Sequence, residues 1–511
     1  MQPNSTEAES GIVFPAGADG TRSTTHAGAA IVAAALRPID ADAADAALAE
    51  RHWRRRYPLH FRRLVEAALA SPEAALASAQ AGLAAAWQTL RWAAPEGEIA
   101  LAEAMALPSP PLHSVRLQGR GPASPAAWAV PYQGALLTGD MLRRRIDGWL
   151  QAGVLEPSAA AALHRCAANP QWFDLSDRTL VLLGAGSEAG PLRWLAQWRA
   201  NLVAVDMPRG ATWRRIASIV SEGNASLLAP AREAVAPGRG PEAWIDAVGA
   251  DLLTEAPRVA AWLGTLEPAL DIAALAYLDG ERHVRVALGM DLIAATLAAT
   301  RPRTTLATMA TPTDVFAVPE DAARAAMHAF AHRPAASRML QGPLHLAAGD
   351  RFFQANVERL VAGPGGAQYG IVDSLVIEQG PNYALAKRLQ QWRAVVARGA
   401  GHRVSLNVAP STTTASVVKN PALAAGFAGA DSFGIEVFEP ETTNALMAAM
   451  WVHDLRCEEA AANPQRPLAH PFELFMEGAI HGGLWRSAYL PRSALPFAAA
   501  LGWVRQRVGR A

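Results

Sequence analysis

Tyr383 and Lys387 stand four residues apart in the segment Gln379-Gly-Pro-Asn-Tyr383-Ala-Leu-Ala-Lys387-Arg-Leu. On a helix, residues at that spacing share a face. An ammonium beside a phenol stabilises the phenolate and lowers the tyrosine pKa. Such a tyrosine exchanges a proton with a substrate oxygen near neutral pH. Lysine occurs only at Lys387 and Lys419, the other basic residues being arginine or histidine. A compact point charge is therefore used here in place of the default planar fork. A second set lies two hundred residues earlier, in Thr179-Leu-Val-Leu-Leu-Gly184-Ala-Gly186-Ser187-Glu188-Ala-Gly190. An apolar run of strand length stops at glycine, and a helical pattern follows from Leu192 to Arg199. A second apolar run, Leu202 to Val205, ends in Asp206, twenty residues after Gly186. Strand, glycine turn, helix, strand and acid is the layout that a nucleotide-binding βαβ unit needs, and a tight strand-to-helix turn without a ligand is the plainer alternative. Its glycines admit a pyrophosphate, its helix N-terminus offers free N–H groups, and its acid accepts from a ribose hydroxyl.

The elements that must position these groups alternate along the chain. Strand patterns at Thr179–Leu183, Leu202–Val205, Ala225–Ala229, Leu270–Tyr277 and Thr304–Thr311 are separated by helical ones. That alternation predicts an α/β fold, a doubly wound parallel sheet with ligands at the carboxyl ends of its strands. Residues 1–28 are polar and read as a flexible tail. Residues 29–170 read as a helical N-terminal extension, with a Pro/Gly-rich connector from Leu107 to Pro131. Residues 171–455 form the expected nucleotide domain, interrupted at 313–370 by an insertion with helices at Glu320–Ala331 and Phe352–Leu360. Residues 456–511 read as a cover over the substrate mouth or an oligomer contact, and a homo-oligomer is expected.

Composition sets further bounds. The 511 residues carry no formal net charge and are 51% hydrophobic. That balance suits a globular protein and argues against nucleic acid as the main partner. The two cysteines, Cys166 and Cys457, are in no metal-ligand spacing, so no metal is expected, and they suit a reducing, cytoplasmic setting. The sequence shows no uninterrupted apolar run of spanning length, so no membrane span is expected.

Taken in order, these motifs resemble the short-chain dehydrogenase/reductase superfamily, from about Asp177 to Leu455. Gly184-Ala-Gly186-Ser187-Glu188-Ala-Gly190 is similar to its glycine turn, with Glu188 where a middle glycine is usual. Asp251 is similar to the acid that contacts adenine. Met290-Asp291-Leu292 resembles the segment with a catalytic asparagine, here aspartate. Thr311 or Thr308 stands where a carbonyl-orienting serine is expected, with Ser374 a further candidate. Tyr383-x-x-x-Lys387 matches the signature pair. Pro410-Ser411-Thr412-Thr413-Thr414 resembles the loop beside the nicotinamide, with Ser411 replacing glycine. The resemblance implies a Rossmann fold and hydride transfer between a carbonyl and an alcohol, with NAD, or alternatively NADP, as cofactor. Tyr383 would be general acid and base, and Lys387 would also hold the nicotinamide ribose. Thr311 would bind the carbonyl oxygen and Asp291 would position the lysine or a water. Asp206 favours NAD, because a carboxylate repels a 2′-phosphate; Arg209, Arg214 and Arg215 beyond it are the groups that would accept that phosphate instead. Aromatic and apolar residues late in the chain favour a lipophilic small-molecule substrate. A non-catalytic dinucleotide-binding protein and a methyltransferase are the competing readings.

Overall fold

The computed structural model describes residues 10–17, 20–188, 190–235, 241–267, 269–335, 338–339, 343, 346 and 351–508. Seven strands form the central sheet: β1 (His113–Gln118), β2 (Thr179–Leu183), β3 (Asn201–Val205), β4 (Ser226–Ala231), β5 (Leu270–Ala274), β6 (Thr305–Ala310) and β7 (Val404–Val408). They lie in the order β7-β6-β5-β2-β3-β4-β1. Six run parallel and β1 pairs antiparallel with β4. Leu183 is in register with Val205 on one side and Ala274 on the other, so the expected single sheet is present. Strand order reverses between β2 and β5, where successive connections leave in opposite directions.

Side-chain alternation divides the core in two. Val181, Leu183, Val203, Val205 and Ile272 join one buried cluster, and Leu180, Leu182, Leu202, Ala204 and Ala273 join the other. Both faces of β2 are covered, which is why Thr-Leu-Val-Leu-Leu shows no polar alternation. Helices Glu281–Thr300 and Gly380–Gly399 belong to the first face, and Gly210–Glu222 and Pro440–Arg456 to the second. Glu281–Thr300 is the one described helix long and apolar enough to cross a membrane, but 72% of its apolar window is buried. That is the position of a core helix against a sheet.

The N-terminal helices Thr24–Leu36, Ala41–Ala49, Trp53–Ala68 and Pro72–Thr89 form a further layer. A Cβ on Gly82 would lie 2.5 Å from the Trp392 ring, so glycine lets the fourth of these helices touch Gly380–Gly399.

Four sequence expectations need correction. Part of the expected tail is ordered: Gly11–Val13 pairs antiparallel with the strand Arg91–Ala94, and Ile12, Val13 and Phe14 are buried. Residues 1–9 lie outside the described residues. The Pro/Gly-rich connector contains β1, so the sheet draws a strand from before residue 171. The alternation in His113–Gln118 is hidden because only Val115 is buried. The insertion is built on an antiparallel sheet, Val315–Pro319, Gln368–Asp373 and Val361–Ala362, with the helix Glu320–Ala331 beside it. Phe352–Leu360 is irregular backbone, with Phe352 and Phe353 packed on Phe497.

Candidate active site

The glycine turn sits at the carboxyl end of β2, where the sheet order reverses. Gly184 has φ +92°, and a Cβ there would meet the Ala276 backbone at 2.5 Å, so only glycine fits. The Gly186 N–H donates to Asp206 Oδ2 at 2.7 Å, and Met207 N–H donates to Oδ1 at 2.8 Å. Burial raises the Asp206 pKa, opposed by those two N–H donors and by Arg215 and Arg209. Arg215 also donates to the Gly186 carbonyl. Asp206 therefore holds the turn closed as well as facing the cleft. Ala250 N–H donates to the Asp206 carbonyl at 2.9 Å, which brings the loop carrying Asp251 beside it. Asp251 Oδ1 accepts from Leu253 N–H at 2.9 Å.

Glu188, at the usual place of a glycine, has a defined task. Its Oε2 accepts from Ala415 N–H at 2.9 Å, and its carbonyl accepts from Asn444 at 3.1 Å. It ties the glycine turn to the loop after β7. In that loop Thr412 donates to the Pro410 carbonyl at 2.9 Å and meets the Thr443 hydroxyl at 2.7 Å, Thr413 N–H donates to Phe438, and Thr414 precedes the helix Ala415–Lys419. Gly190 closes a turn onto the Ser187 carbonyl at 3.0 Å. The helix after it, expected over Leu192–Arg199, is α-helical only over Leu192–Leu195. The chain continues in turns to Arg199, whose φ of +59° takes it out of the helix.

Tyr383 and Lys387 lie on the first turns of Gly380–Gly399, as the spacing predicts. Both turn inward to the ends of β5 and β6. The Thr311 and Thr313 hydroxyls lie near that of Tyr383 and favour its ionised form, and the two threonine hydroxyls are bonded to each other at 2.9 Å. Gln379 Nε2 donates to Thr313 at 2.9 Å. Thr311, at the end of β6, is thus beside Tyr383 as expected. Thr308 reaches back to the Ala274 carbonyl, and Ser374 is fully buried with its N–H on the Asp314 carbonyl at 3.0 Å.

The electronic expectation for the pair is reversed. Burial raises the Tyr383 pKa, with Tyr277 and Asp314 adding to the rise and Thr311 opposing it. Lys387 does not offset this. Its Nζ donates to the Met309 carbonyl at 3.5 Å and to Gln390 at 3.3 Å. Burial lowers its own pKa to about 8, and the buried Asp314 resists that fall. Tyr383 is the neutral phenol here, and Lys387 is the group that titrates near neutrality.

His283 is the residue the sequence reading missed. Its ring stacks on Tyr383 at 5.5 Å and 19°, and Tyr277 packs at 4.6 Å from His283 and 6.2 Å from Tyr383. His283 Nδ1 accepts from Leu278 N–H at 3.4 Å, while its buried Nε2 has no partner among the described residues. Burial and the Lys387 charge keep the ring neutral. A histidine on an apolar helix carries no spacing signal. Its proximity arises only when the helices Glu281–Thr300 and Gly380–Gly399 pack side by side.

Asp291 is not part of this cluster. Its carboxylate receives Arg393 at 2.6 and 3.1 Å and Trp87 Nε1 at 2.7 Å. It joins three helices, two turns beyond His283. Its expected role beside Lys387 is replaced by a structural one. His481 is likewise structural, bonded to the buried Glu156, which Arg486 also holds.

Beyond Thr313 and Gln379 opens an apolar pocket of about 740 Å³, a volume that includes space open to solvent, which Ser411 also lines. Thr313 and Gln379 line this pocket, and Tyr277 of the ring cluster directly follows Ala276, the residue against Gly184. Proton-donating groups, a glycine turn and an apolar chamber are therefore contiguous at the carboxyl edge of the sheet. No protein-family model matches the chain, and no curated protein matches it significantly.

Proposed function

We propose that the protein is a nicotinamide-dinucleotide-dependent oxidoreductase that reduces a carbonyl to an alcohol on a Rossmann-type sheet. The observation that carries the reading is one juxtaposition. The glycine turn lies where the order of six parallel strands reverses, the place where such sheets bind dinucleotides, and Tyr383 with its two threonines lies at the adjoining strand ends.

The adenosine end of the cleft fits the cofactor. Asp206 keeps lone pairs for ribose hydroxyls while holding the turn, Asp251 lies beside it, and Arg209 and Arg215 offset its charge. The fit at the diphosphate needs one change. The Glu188 carboxylate occupies the Ala415 amide, and it is exposed, so rotating it away is cheap. NAD and NADP both remain candidates, with Asp206 favouring the former.

The bound dinucleotide supplies the hydride. The protein's residues orient the acceptor and move its proton. Thr311 and Thr313 aim the Tyr383 hydroxyl at the oxygen that gains charge. A phenol held neutral is a poor base but still gives its proton to a developing alkoxide, a far stronger base. The raised pKa therefore suits reduction better than oxidation. Lys387, beneath the tyrosine, places a cation at the carboxyl end of β6 for the cofactor's ribose. Neutral His283 fixes the plane of the Tyr383 ring by stacking.

The test is turnover of the reduced nicotinamide with a panel of neutral aldehydes and ketones. Loss of nicotinamide absorbance in the wild type, abolished in Tyr383→Phe, supports the reading. Absence of turnover, with dinucleotide binding intact, favours the non-catalytic reading, for which the missing Tyr383–Lys387 contact is the specific argument.

A further inference from the structure

The pocket beyond Thr313 restricts what the site accepts. It lies under the helices Ala415–Lys419, Pro421–Ala428 and Pro491–Val508, the last from the C-terminal segment. Close backbone approach fixes two of these helices together: a Cβ on Gly429 would lie 2.0 Å from the Ala498 carbonyl, and one on Gly502 would lie 2.1 Å from Ala425. The chamber they enclose is thus part of the fold. Leu423, Phe427, Phe433 and Leu495 supply apolar walls, and among the described residues no lining side chain is charged.

Polar groups appear at two places. Near the proposed proton donor are Thr313, Gln379 and Ser411. Farther along the C-terminal wall are Ser487 and Tyr489. Gln379 Oε1 and Tyr489 Oη are buried, and neither has a hydrogen-bond partner among the described residues. A buried polar oxygen left unpaired costs about 1–3 kcal/mol, and a ligand that reaches it removes that cost. Pockets of this character hold small, largely apolar molecules oriented by a few polar contacts.

We infer that this pocket binds an uncharged lipophilic molecule, a medium-chain or ring-containing carbonyl or alcohol, with its oxygen at Thr313 and Gln379 and its apolar body under Phe427 and Leu495. Charged carboxylates and phosphorylated substrates are excluded, because no cation in the lining compensates their desolvation. The assignment rests on the proposed function only in naming the occupant as substrate; the binding itself needs no cofactor.

The experiment uses the full-length protein without cofactor. N-phenyl-1-naphthylamine, a neutral probe that brightens in apolar surroundings, is bound and then displaced by 1-hexanol, 1-octanol, 1-decanol, 2-decanone and decanoate. Each buried methylene tightens binding by about fourfold, so affinity should climb steeply along the alcohols. Decanone, which has no hydrogen to give the unpaired Gln379 Oε1, should bind more weakly than decanol, and decanoate at pH 8 should bind more than about tenfold worse than decanol. Ala494→Leu, which fills the chamber from its wall, should weaken decanol, and Gln379→Leu should weaken decanol more than the probe. A flat chain-length series, equal displacement by decanoate, or failure of the probe to bind overturns the inference, and these readings on the wild type do not depend on how a variant folds. NADH titrated in parallel separates the two claims. Lipophile binding without NADH binding upholds the pocket and counts against the proposed function; NADH binding without lipophile binding does the reverse.

Discussion

Replacing Lys387 by methionine should stabilise the protein at neutral pH. Burial lowers the lysine pKa from 10.5 to about 8. Each unit corresponds to about 1.4 kcal/mol, so holding the ammonium inside the fold costs about 3 kcal/mol wherever it must be charged in both states. The two bonds it makes, 3.5 and 3.3 Å long, are weak and return little of that. Methionine keeps the length of the side chain and removes the charge. The sign follows from proton counting. Between pH 8 and 10.5 the unfolded lysine holds a proton that the folded one has released, so wild-type stability rises with pH over that window. The advantage of Lys387→Met is therefore full below pH 8 and gone above pH 10.5. Urea denaturation of both proteins at a series of pH values measures it. An advantage of about 2–3 kcal/mol at pH 7 that fades by pH 10.5 supports the account of a strained cation kept for a ligand. A variant less stable than wild type at pH 7 refutes it, because the lysine would then be a net structural asset.

Four further outcomes follow. Tyr383→Phe keeps the stacking on His283 but removes the proton donor, so turnover should fall by about 10²–10⁴-fold with dinucleotide affinity unchanged; steady-state kinetics with a binding titration checks both. Alcohol oxidation, which needs the phenolate, should rise with pH through the neutral range and beyond without levelling, since burial raises the Tyr383 pKa; a plateau near pH 7 in the rate profile shows instead that a cation does activate the phenol. Asp291→Ala breaks a buried bidentate pair with Arg393 and should cost about 3–5 kcal/mol in denaturant, while the folded fraction retains its turnover. Asp206→Ala frees the Gly186 N–H and removes the repulsion of a 2′-phosphate, so affinity for NADH should fall more than affinity for NADPH in paired titrations.

How far the sequence reveals this arrangement depends on the range of the forces involved. The glycine turn and Asp206 are local: Gly184 must take φ +92° at the end of an apolar run, and the acid must reach back to Gly186 within one βαβ unit. Both are visible as spacing. The Tyr383–Lys387 helix is equally local, and Thr311 falls beside it as expected. The pKa order of that pair is not local. It depends on how much water the packing of three helices removes and on Asp314, which Arg388 and Gln391 hold in the interior. His283 and the role of Asp291 are decided by the same packing, since both lie on one helix and its register along Gly380–Gly399 sets one over Tyr383 and the other, two turns on, against Arg393. β1 escaped notice because an edge strand with one buried side chain resembles a loop. The apolar pocket draws its walls from four separate segments, and no periodicity joins Val376, Phe427, Ile435 and Leu495.

The central claim is that a nicotinamide dinucleotide binds across the glycine turn with its ribose on Lys387. Calorimetric titration of the wild type at pH 8 tests it, run with NADH, NADPH and S-adenosylmethionine in two buffers of different ionisation enthalpy. At that pH about half of the Lys387 side chains have lost their proton, and a ribose contact that favours the ammonium recovers it. The account predicts saturable binding of NADH, one per chain, with uptake of about half a proton. Binding of S-adenosylmethionine alone, or no binding of either dinucleotide, contradicts it.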